Sequence, residues 1–337
     1  MRTFYLCCLI VMASLSISFS IEAHSTNKYS KWDVPEIIDF IVVSPANNAS
    51  VASNAPVENN VPSPYDPVID KPAYILYNAK GEPARYSELV ERSLRSDVIL
   101  FGELHNNPIS HWLQLELTMD LHDQIGEHLR LGAEMFEADN QILLDEYLQN
   151  LITERNFVAE AKLWNNYQTD YKPLVEFARE NGLAFIATNI PRRYASLVHR
   201  EGFEALDSLS PAAKSYIAPL PILYDAELPA YKAMLDMAGM PAHGGENLPK
   251  AQAIKDATMA HFISKNISRN GIFLHFHGAY HSNHYEGITW YLRQLDETID
   301  VVTISTIEQV DIHGFNPEHI GLADFIIVVP KNMTKTY

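Results

Sequence analysis

The sequence predicts a three-layer α/β/α domain with a mainly parallel sheet. Short, continuous apolar runs alternate along the chain with longer segments of helical periodicity, and uninterrupted apolar runs are typical of strands buried on both faces. The predicted strands cover residues 74–77, 97–101, 129–136, 183–188, 272–276, 301–305 and 324–329. The predicted helices cover residues 87–93, 108–124, 140–150, 154–163, 172–181, 249–265 and 286–295, and Pro191 begins one more.

The N-terminal part of the chain has a different composition from the predicted domain. Residues 1–23 are typical of a secretory signal peptide, with Arg2 before an apolar stretch from Phe4 to Phe19, so we expect an exported protein. Residues 24–72 are predicted to form a disordered or weakly ordered tether, because residues 44–72 are rich in Asn, Ser, Ala and Pro and cannot bury enough apolar area to fold. The folded domain is expected over residues 73–337.

Charge and cysteine content limit the classes of function. The net charge of −17 argues against polyanionic partners, so no nucleic acid is expected. Cys7 and Cys8 both lie in the predicted signal peptide. A mature chain without them would have no disulfide, thiolate nucleophile or cysteine-ligated metal.

Residues 203–247 interrupt the alternation of strands and helices. This segment is rich in Pro, Tyr and Met, and it is too long for a simple loop. We expect an insertion of short helices that caps the sheet.

Two predicted strands end in the same short motif, Gly-x-x-His. The first runs from Gly102 to His105 and the second from Gly278 to His281. Ligands of open α/β sheets bind at the carboxyl ends of the strands, and a glycine there is expected to let the backbone turn sharply and carry the histidine over the sheet edge. The pocket predicted at this edge also contains Glu103, Glu134 and His277.

Five segments, in this order, resemble the ChaN-like haem-binding uptake family. They are Gly-Glu-Leu-His-Asn-Asn-Pro108, Gly-Ala-Glu-Met-Phe136, Asn-Ile-Pro-Arg192, Asp256-Ala-Thr-Met-Ala260 and Gly-Ala-Tyr-His281. The resemblance covers about Tyr74 to Pro330. The family is grouped with the TIKI metalloproteases and erythromycin esterases, which also carry paired Gly-x-x-His motifs.

The resemblance implies an exported bacterial protein, periplasmic or associated with the cell surface, that takes part in haem and iron acquisition. Two protomers would enclose a pair of haems, with a tyrosine of one subunit on the iron and basic or histidine side chains of the other on the propionates. Outer-membrane uptake machinery is the implied partner. Members of the family are often lipoproteins, whereas this chain has no convincing lipid-accepting cysteine.

The predicted insertion supplies candidate haem ligands. A tyrosine phenolate is a hard anionic ligand suited to ferric iron, and the candidates are Tyr231 and then Tyr224. His243 is a candidate propionate or axial partner.

Two arginines follow the third core strand and begin a helix. Arg192 and Arg193, with the helix N-terminus, are suited to hold a carboxylate such as a haem propionate. The alternative is an ion pair with Glu134 or Glu137.

Hydrolysis is the alternative function. His105 would act as general base on a water molecule, oriented by Glu103, with Glu134 as a second carboxylate. His277 or His281 would hold the substrate or, together with His105 and Glu134, a divalent Zn, Mn or Fe ion. A binding protein with neither haem nor catalysis is a third possibility. The side chains predicted to be exposed are His111, Thr118, His122, His128, His313 and His319.

Overall fold

The computed structural model describes residues 71–238 and 245–337. The predicted signal peptide, almost all of the predicted tether and His243 lie outside these residues. No helix in the two described ranges is long and apolar enough to cross a bilayer.

Within the described residues, seven strands form a single sheet in which one pair of neighbours is antiparallel. They are β1 (Ile75–Asn78), β2 (Val98–Glu103), β3 (Leu129–Glu137), β4 (Phe185–Asn189), β5 (Ile272–Gly278), β6 (Val301–Gln309) and β7 (Phe325–Pro330). Their order is β1-β7-β6-β2-β5-β3-β4, and only β1 with β7 is antiparallel. The predicted, mainly parallel sheet is therefore confirmed.

The described helices follow the predicted order. They are α1 (Tyr86–Ser93), α2 (Pro108–Ile125), α3 (Gln141–Leu148), α4 (Glu154–Glu160), α5 (Lys172–Asn181), α6 (Arg192–Glu201), α7 (Pro211–Lys214), α8 (Pro229–Ala238), α9 (Leu248–Asn266) and α10 (Ile288–Leu295).

The helices lie in two layers because successive strand residues point to opposite faces of the sheet. On β2, Ile99 and Phe101 belong to the core that contains the apolar residues of α1, α2, α3 and α5. Val98 and Leu100 instead belong to the core that contains those of α9 and α10. This alternation gives the three-layer α/β/α arrangement that the sequence predicted.

Residues 203–238 contain short helices separated by irregular chain. A 3₁₀ helix (Phe203–Ser208) precedes α7 and α8. Leu206 and Ile217 pack with Val198 of α6 and Ile254 of α9, so this segment covers one helical layer.

Strand register brings three carboxyl ends together at the centre of the sheet. Glu103 on β2 lies opposite Gly278 on β5, and Ala133 on β3 lies opposite Phe276. Glu134 follows Ala133 in a stretch where the pairing of β3 with β4 shifts register. The ends of β2, β5 and β3 therefore form one continuous edge, which is where the site lies.

Candidate functional site

A cavity of about 1030 Å³ opens above the carboxyl ends of these strands, between them and helices α6 and α9. Five of the site residues predicted from the sequence line it: Glu103, His105, Glu134, Arg192 and His281. The two Gly-x-x-His motifs, far apart in the chain, thus meet at one cavity.

Glu103 is a buried carboxylate that accepts three hydrogen bonds. His105 donates from Nδ1 to its Oε1 over 2.8 Å, and the Tyr171 hydroxyl donates to the same oxygen over 2.7 Å. The Gln114 amide donates to Oε2 over 2.6 Å. Because a carboxylate only accepts, the proton of His105 lies on Nδ1 when the ring is neutral. Nε2 of His105 is then the nitrogen left for a ligand.

The environment of His105 favours its charged form. Burial alone would lower the pKa of the ring, but the hydrogen bond and charge of Glu103, together with the charge of Glu134, raise the pKa above its ordinary value. His105 is therefore a stronger base, and when protonated a weaker acid, than a free histidine. Its ring also packs edge-on against Trp164, with 4.9 Å between the ring centroids.

Helix α2 supports this pair, and here the predicted exposure of two side chains is wrong. His111 is only 6% exposed, and its Nε2 lies 3.1 Å from the carbonyl oxygen of His105. Thr118 is buried, and its hydroxyl donates to the carbonyl of Gln114. The error has a physical cause: the buried Glu103 carboxylate needs polar neighbours, so one polar face of α2 points inward.

His281 lies between two buried carboxylates. Its Nε2 is 3.1 Å from Glu134 Oε1, and its Nδ1 is hydrogen-bonded to Asp256. Burial would lower the pKa of His281, but the charges of Glu134 and Asp256 raise it to about 9. Burial would likewise raise the pKa of Glu134, but the charge and hydrogen bond of His281 lower it far below its ordinary value. His281 is consequently an imidazolium at neutral pH, with both ring nitrogens engaged.

The motif glycines are required for close approach, which differs from the predicted sharp turn. A Cβ on Gly278 would lie 2.7 Å from His105 Nε2 and 3.6 Å from Glu134 Oε2. A Cβ on Gly102 would lie 2.8 Å from the Cα of Ala279. Neither glycine has a left-handed φ. Each motif therefore fills the space left by the glycine of the other.

The structure does not bring His277 into the cavity. His277 Nδ1 is 3.1 Å from Nδ1 of His275, and its Nε2 is 2.8 Å from the Ser282 hydroxyl. Burial, with the charges of His275 and His281, holds the pKa of His277 well below its ordinary value, so the ring is neutral. In the candidate metal set of His105, Glu134, His277 and His281, His277 is bound by His275 and Ser282. The two ring nitrogens of His281 are bound by Glu134 and Asp256. Within the described residues, no group of three or more His, Cys, Asp or Glu is arranged to hold a metal ion.

Tyr231, the first candidate for the iron ligand, is buried away from the cavity. Its side chain is 1% exposed, and its hydroxyl donates to Asp256 over 2.8 Å. Tyr224 is half-buried against the rings of Phe203 and Tyr231, and neither Tyr224 nor Tyr231 lines the cavity. Tyr280, inside the second motif, does line it and is 41% exposed.

The two arginines after β4 have different surroundings. Arg193 forms an ion pair with Asp139 over 2.5 Å and does not line the cavity. Arg192 lines the cavity and has no ion-pair partner in the described ranges. The alternative pairing with Glu134 or Glu137 does not occur, because Glu134 binds His281 and Glu137 binds Lys162.

Sequence reasoning missed several residues of the site. Asp256 begins one of the five segments that resemble the family, but it was given no role in the site; it faces inward from α9 and is hydrogen-bonded to His281. Tyr280 could have been found, because it lies within the second Gly-x-x-His motif. Further lining residues that it missed include Asn189, His199, Gln252 and Lys255.

Comparisons with known proteins agree with this fold. ChaN of Campylobacter jejuni, whose structure is described as cofacial haem binding, matches with a TM-score of 0.58 and 16% identity, over 76% of this chain and 96% of that one. A mutant of the erythromycin esterase EreC gives a TM-score of 0.41 with 11% identity, over 69% of this chain and 77% of that one. This similarity is too low to support a conclusion about the chain. At these identities the similarity to ChaN shows the fold alone.

Two sequence comparisons add to this. The chloroplastic protein RETICULATA-RELATED 5 of Arabidopsis thaliana is 26% identical over 144 residues, which are 39% of this chain and only 20% of that protein. Residues 89–292, more than half of the chain, match the family model described as "Haem-binding uptake, Tiki superfamily, ChaN". The chain therefore belongs to the ChaN family of haem-binding uptake proteins.

Proposed function

We propose that this protein binds haem in the cavity above β2, β5 and β3 as part of haem and iron acquisition. Family membership supports haem as the ligand. The observation that carries the location is the lining of the cavity, which combines the half-exposed Tyr280 with the unpaired cations Arg192 and Lys255. Its volume of about 1030 Å³ is at the upper end of the range for small-molecule sites.

Tyr280 replaces Tyr231 and Tyr224 as our proposed iron ligand. Its hydroxyl now donates to the carbonyl of Ala230 over 2.7 Å, which places the phenol oxygen at the boundary between the cavity and α8. Burial and the charges of Glu286 and Asp256 raise the pKa of Tyr280. A ferric ion would offset this effect, since a bound cation favours the ionised form of its ligand.

Hemin titration of the full chain tests this assignment. We expect saturable binding with the absorption spectrum of a tyrosinate-ligated ferric haem, and loss of that spectrum in Tyr280→Phe. Tyr224→Phe is the matched control, because it removes a hydroxyl outside the cavity. If hemin does not bind saturably, the proposed function is wrong; if Tyr224→Phe changes the spectrum and Tyr280→Phe does not, only the ligand is wrong.

Assembly and export are further parts of the proposal. Two protomers would enclose the haems, and light scattering with and without hemin would detect the dimer; a monomer in both conditions would contradict it. An exported protein would be recovered from the periplasm or cell surface without residues 1–23. Mass spectrometry of the N-terminus after fractionation of a bacterial host would show whether they are removed.

Hydrolysis is the second candidate, and one observation favours it. His105 lines the cavity, its Nδ1 is held by Glu103, and its Nε2 has no hydrogen-bond partner among the described residues, which is the geometry of an oriented general base. His105 would take a proton from water as the water oxygen attacks the carbonyl carbon of an ester. The tetrahedral intermediate would then collapse with cleavage of the ester C–O bond, and the departing alcohol would take the proton back from His105. Because the pKa of His105 is raised, the rate should increase with pH until the ring is neutral.

An activated ester such as p-nitrophenyl acetate tests this candidate. We expect hydrolysis faster than the rate in buffer alone, and we expect His105→Gln to lose it. His128→Gln should retain it, because His128 is exposed and does not line the cavity. Equal rates in the wild type and His105→Gln would exclude His105 as the base.

A further inference from the structure

Helices α6 and α9 pack against each other and line one part of the cavity, which we call the α6–α9 groove. Arg192 and His199 lie two turns apart on the cavity face of α6, and Gln252 and Lys255 lie on the facing side of α9. Asn189, the last residue of β4, lines the same cavity between the sheet and the start of α6.

Asn189 presents a buried acceptor that has no partner among residues 71–238 and 245–337. The side chain is 9% exposed, and its Nδ2 donates to the carbonyl oxygen of Glu134 over 2.9 Å. That bond fixes the orientation of the amide, because only the NH₂ group can donate. Oδ1 is consequently left buried and without a hydrogen bond. Buried acceptors are rarely left unpaired, so this oxygen is suited to accept a hydrogen bond from a bound ligand.

The walls of the groove supply the complementary charge. Arg192 and Lys255 have no ion-pair partner in the part of the chain that the structure describes, although the protein as a whole is strongly acidic. Nε2 of His199 is also buried without a partner. These two cations favour an anion, although the charge of Lys255 also acts on the carboxylates of Glu134 and Asp256. Those carboxylates and Glu137 favour an anion with a single charge. A carboxylate meets both conditions better than a phosphate dianion.

The geometry points to the α6–α9 groove as a binding site for a small monocarboxylic acid that carries a hydroxyl group. The carboxylate binds Arg192 and Lys255, and the hydroxyl donates to Oδ1 of Asn189. This inference goes beyond the proposed haem binding: the acid and a haem propionate would compete for Arg192 and Lys255, and neither the iron nor the porphyrin supplies a donor for Asn189.

Isothermal titration of the full chain with 3-hydroxybutyrate and with butyrate tests the inference, since the two acids differ only by the hydroxyl. We expect 3-hydroxybutyrate to bind about fivefold more tightly, the effect of one hydrogen bond to a buried acceptor. Arg192→Ala should weaken both acids about tenfold. Arg193→Ala is the matched control, because this neighbouring arginine is already paired with Asp139, and it should leave both affinities unchanged.

Three results would overturn the inference. They are the absence of saturable binding of either acid at about 10 mM, equal affinities for the two acids, and equal losses in Arg192→Ala and Arg193→Ala. Asn189→Ala should abolish the preference for 3-hydroxybutyrate. That variant also removes the hydrogen bond to the carbonyl oxygen of Glu134, so its melting temperature is measured first. If the variant does not fold, the affinities of the wild type for the two acids decide whether the inference holds.

Discussion

The buried charge on His281 predicts how the stability of the fold changes with pH. The ring lies between Glu134 and Asp256, and its pKa rises from 6.5 to about 9. A shift of this size corresponds to about 3 kcal/mol of stabilisation when the ring is charged, at about 1.4 kcal/mol for each pH unit. No discount for solvent is needed, because His281 and both carboxylates are buried.

The direction of the pH dependence follows from the sign of the shift. The pKa is higher in the folded state, so the contribution of His281 is fully present below pH 6.5 and is lost as the pH rises through about 9. We expect the free energy of unfolding to fall by about 2 to 3 kcal/mol between about pH 7 and about pH 10. Glu134 acts on the acid side: its pKa is lowered from 4.5, so its contribution is present above 4.5 and is lost as the pH falls below that value.

Urea unfolding followed by circular dichroism at several pH values measures this effect. His281→Gln should be about 3 to 5 kcal/mol less stable near neutral pH, since it leaves two buried carboxylates uncompensated. Its free energy of unfolding should also fall less between neutral and alkaline pH than that of the wild type. His128→Gln, at an exposed position, should show the same fall as the wild type. The explanation fails if the wild type and His281→Gln lose stability in parallel above neutral pH, because other groups would then cause the decline.

Two further predictions concern packing. Gly278→Ala places a methyl group 2.7 Å from His105 Nε2, so it should displace that ring and lower the stability by about 1 to 3 kcal/mol, measured by thermal unfolding. Gly314→Ala, with open space around its Cβ, should leave the stability nearly unchanged. Equal losses of stability in the two variants would contradict the close approach at Gly278. Leu117→Ala empties a fully buried position in the main core and should cost about 2 to 5 kcal/mol. Leu151→Ala, at a 69% exposed position, should change the stability by less than about 0.5 kcal/mol, and a comparable loss there would contradict the assigned core.

Strand positions were predictable because the sheet is buried on both faces. A run such as Val98 to Phe101 is apolar at every position since alternate residues contact different helical layers, and this requirement can be read locally. The order of the strands could not be read in the same way, because pairing of β2 with β5 and β6 depends on contacts between residues far apart in the chain. Even so, the alternation of strands and helices predicted parallel pairing. The neighbouring strands β7, β6, β2, β5, β3 and β4 do pair in parallel.

The polar residues of the site were only partly predictable. His105 and His281 carried a visible motif, whereas Asp256 and Gln114 are ordinary polar residues of helices until their partners are known. Amphipathicity assigns a polar helical residue to solvent, and this fails wherever a buried charge requires hydrogen bonds. Tyr231 illustrates the same limit, because its hydroxyl binds a buried acid instead of facing a ligand.

The two Gly-x-x-His motifs are alike in sequence but are suited to different tasks. His281 has both nitrogens engaged by carboxylates and remains charged, so it can act on a ligand only through its field and through the position it gives Glu134. His105 has one nitrogen fixed by Glu103 and the other facing the cavity across Gly278, so it can exchange a proton or accept a hydrogen bond directly. Loss of His105 should therefore alter ligand binding or turnover with little effect on stability, and loss of His281 should do the reverse. That division follows from the number of carboxylates on each ring, which is one for His105 and two for His281.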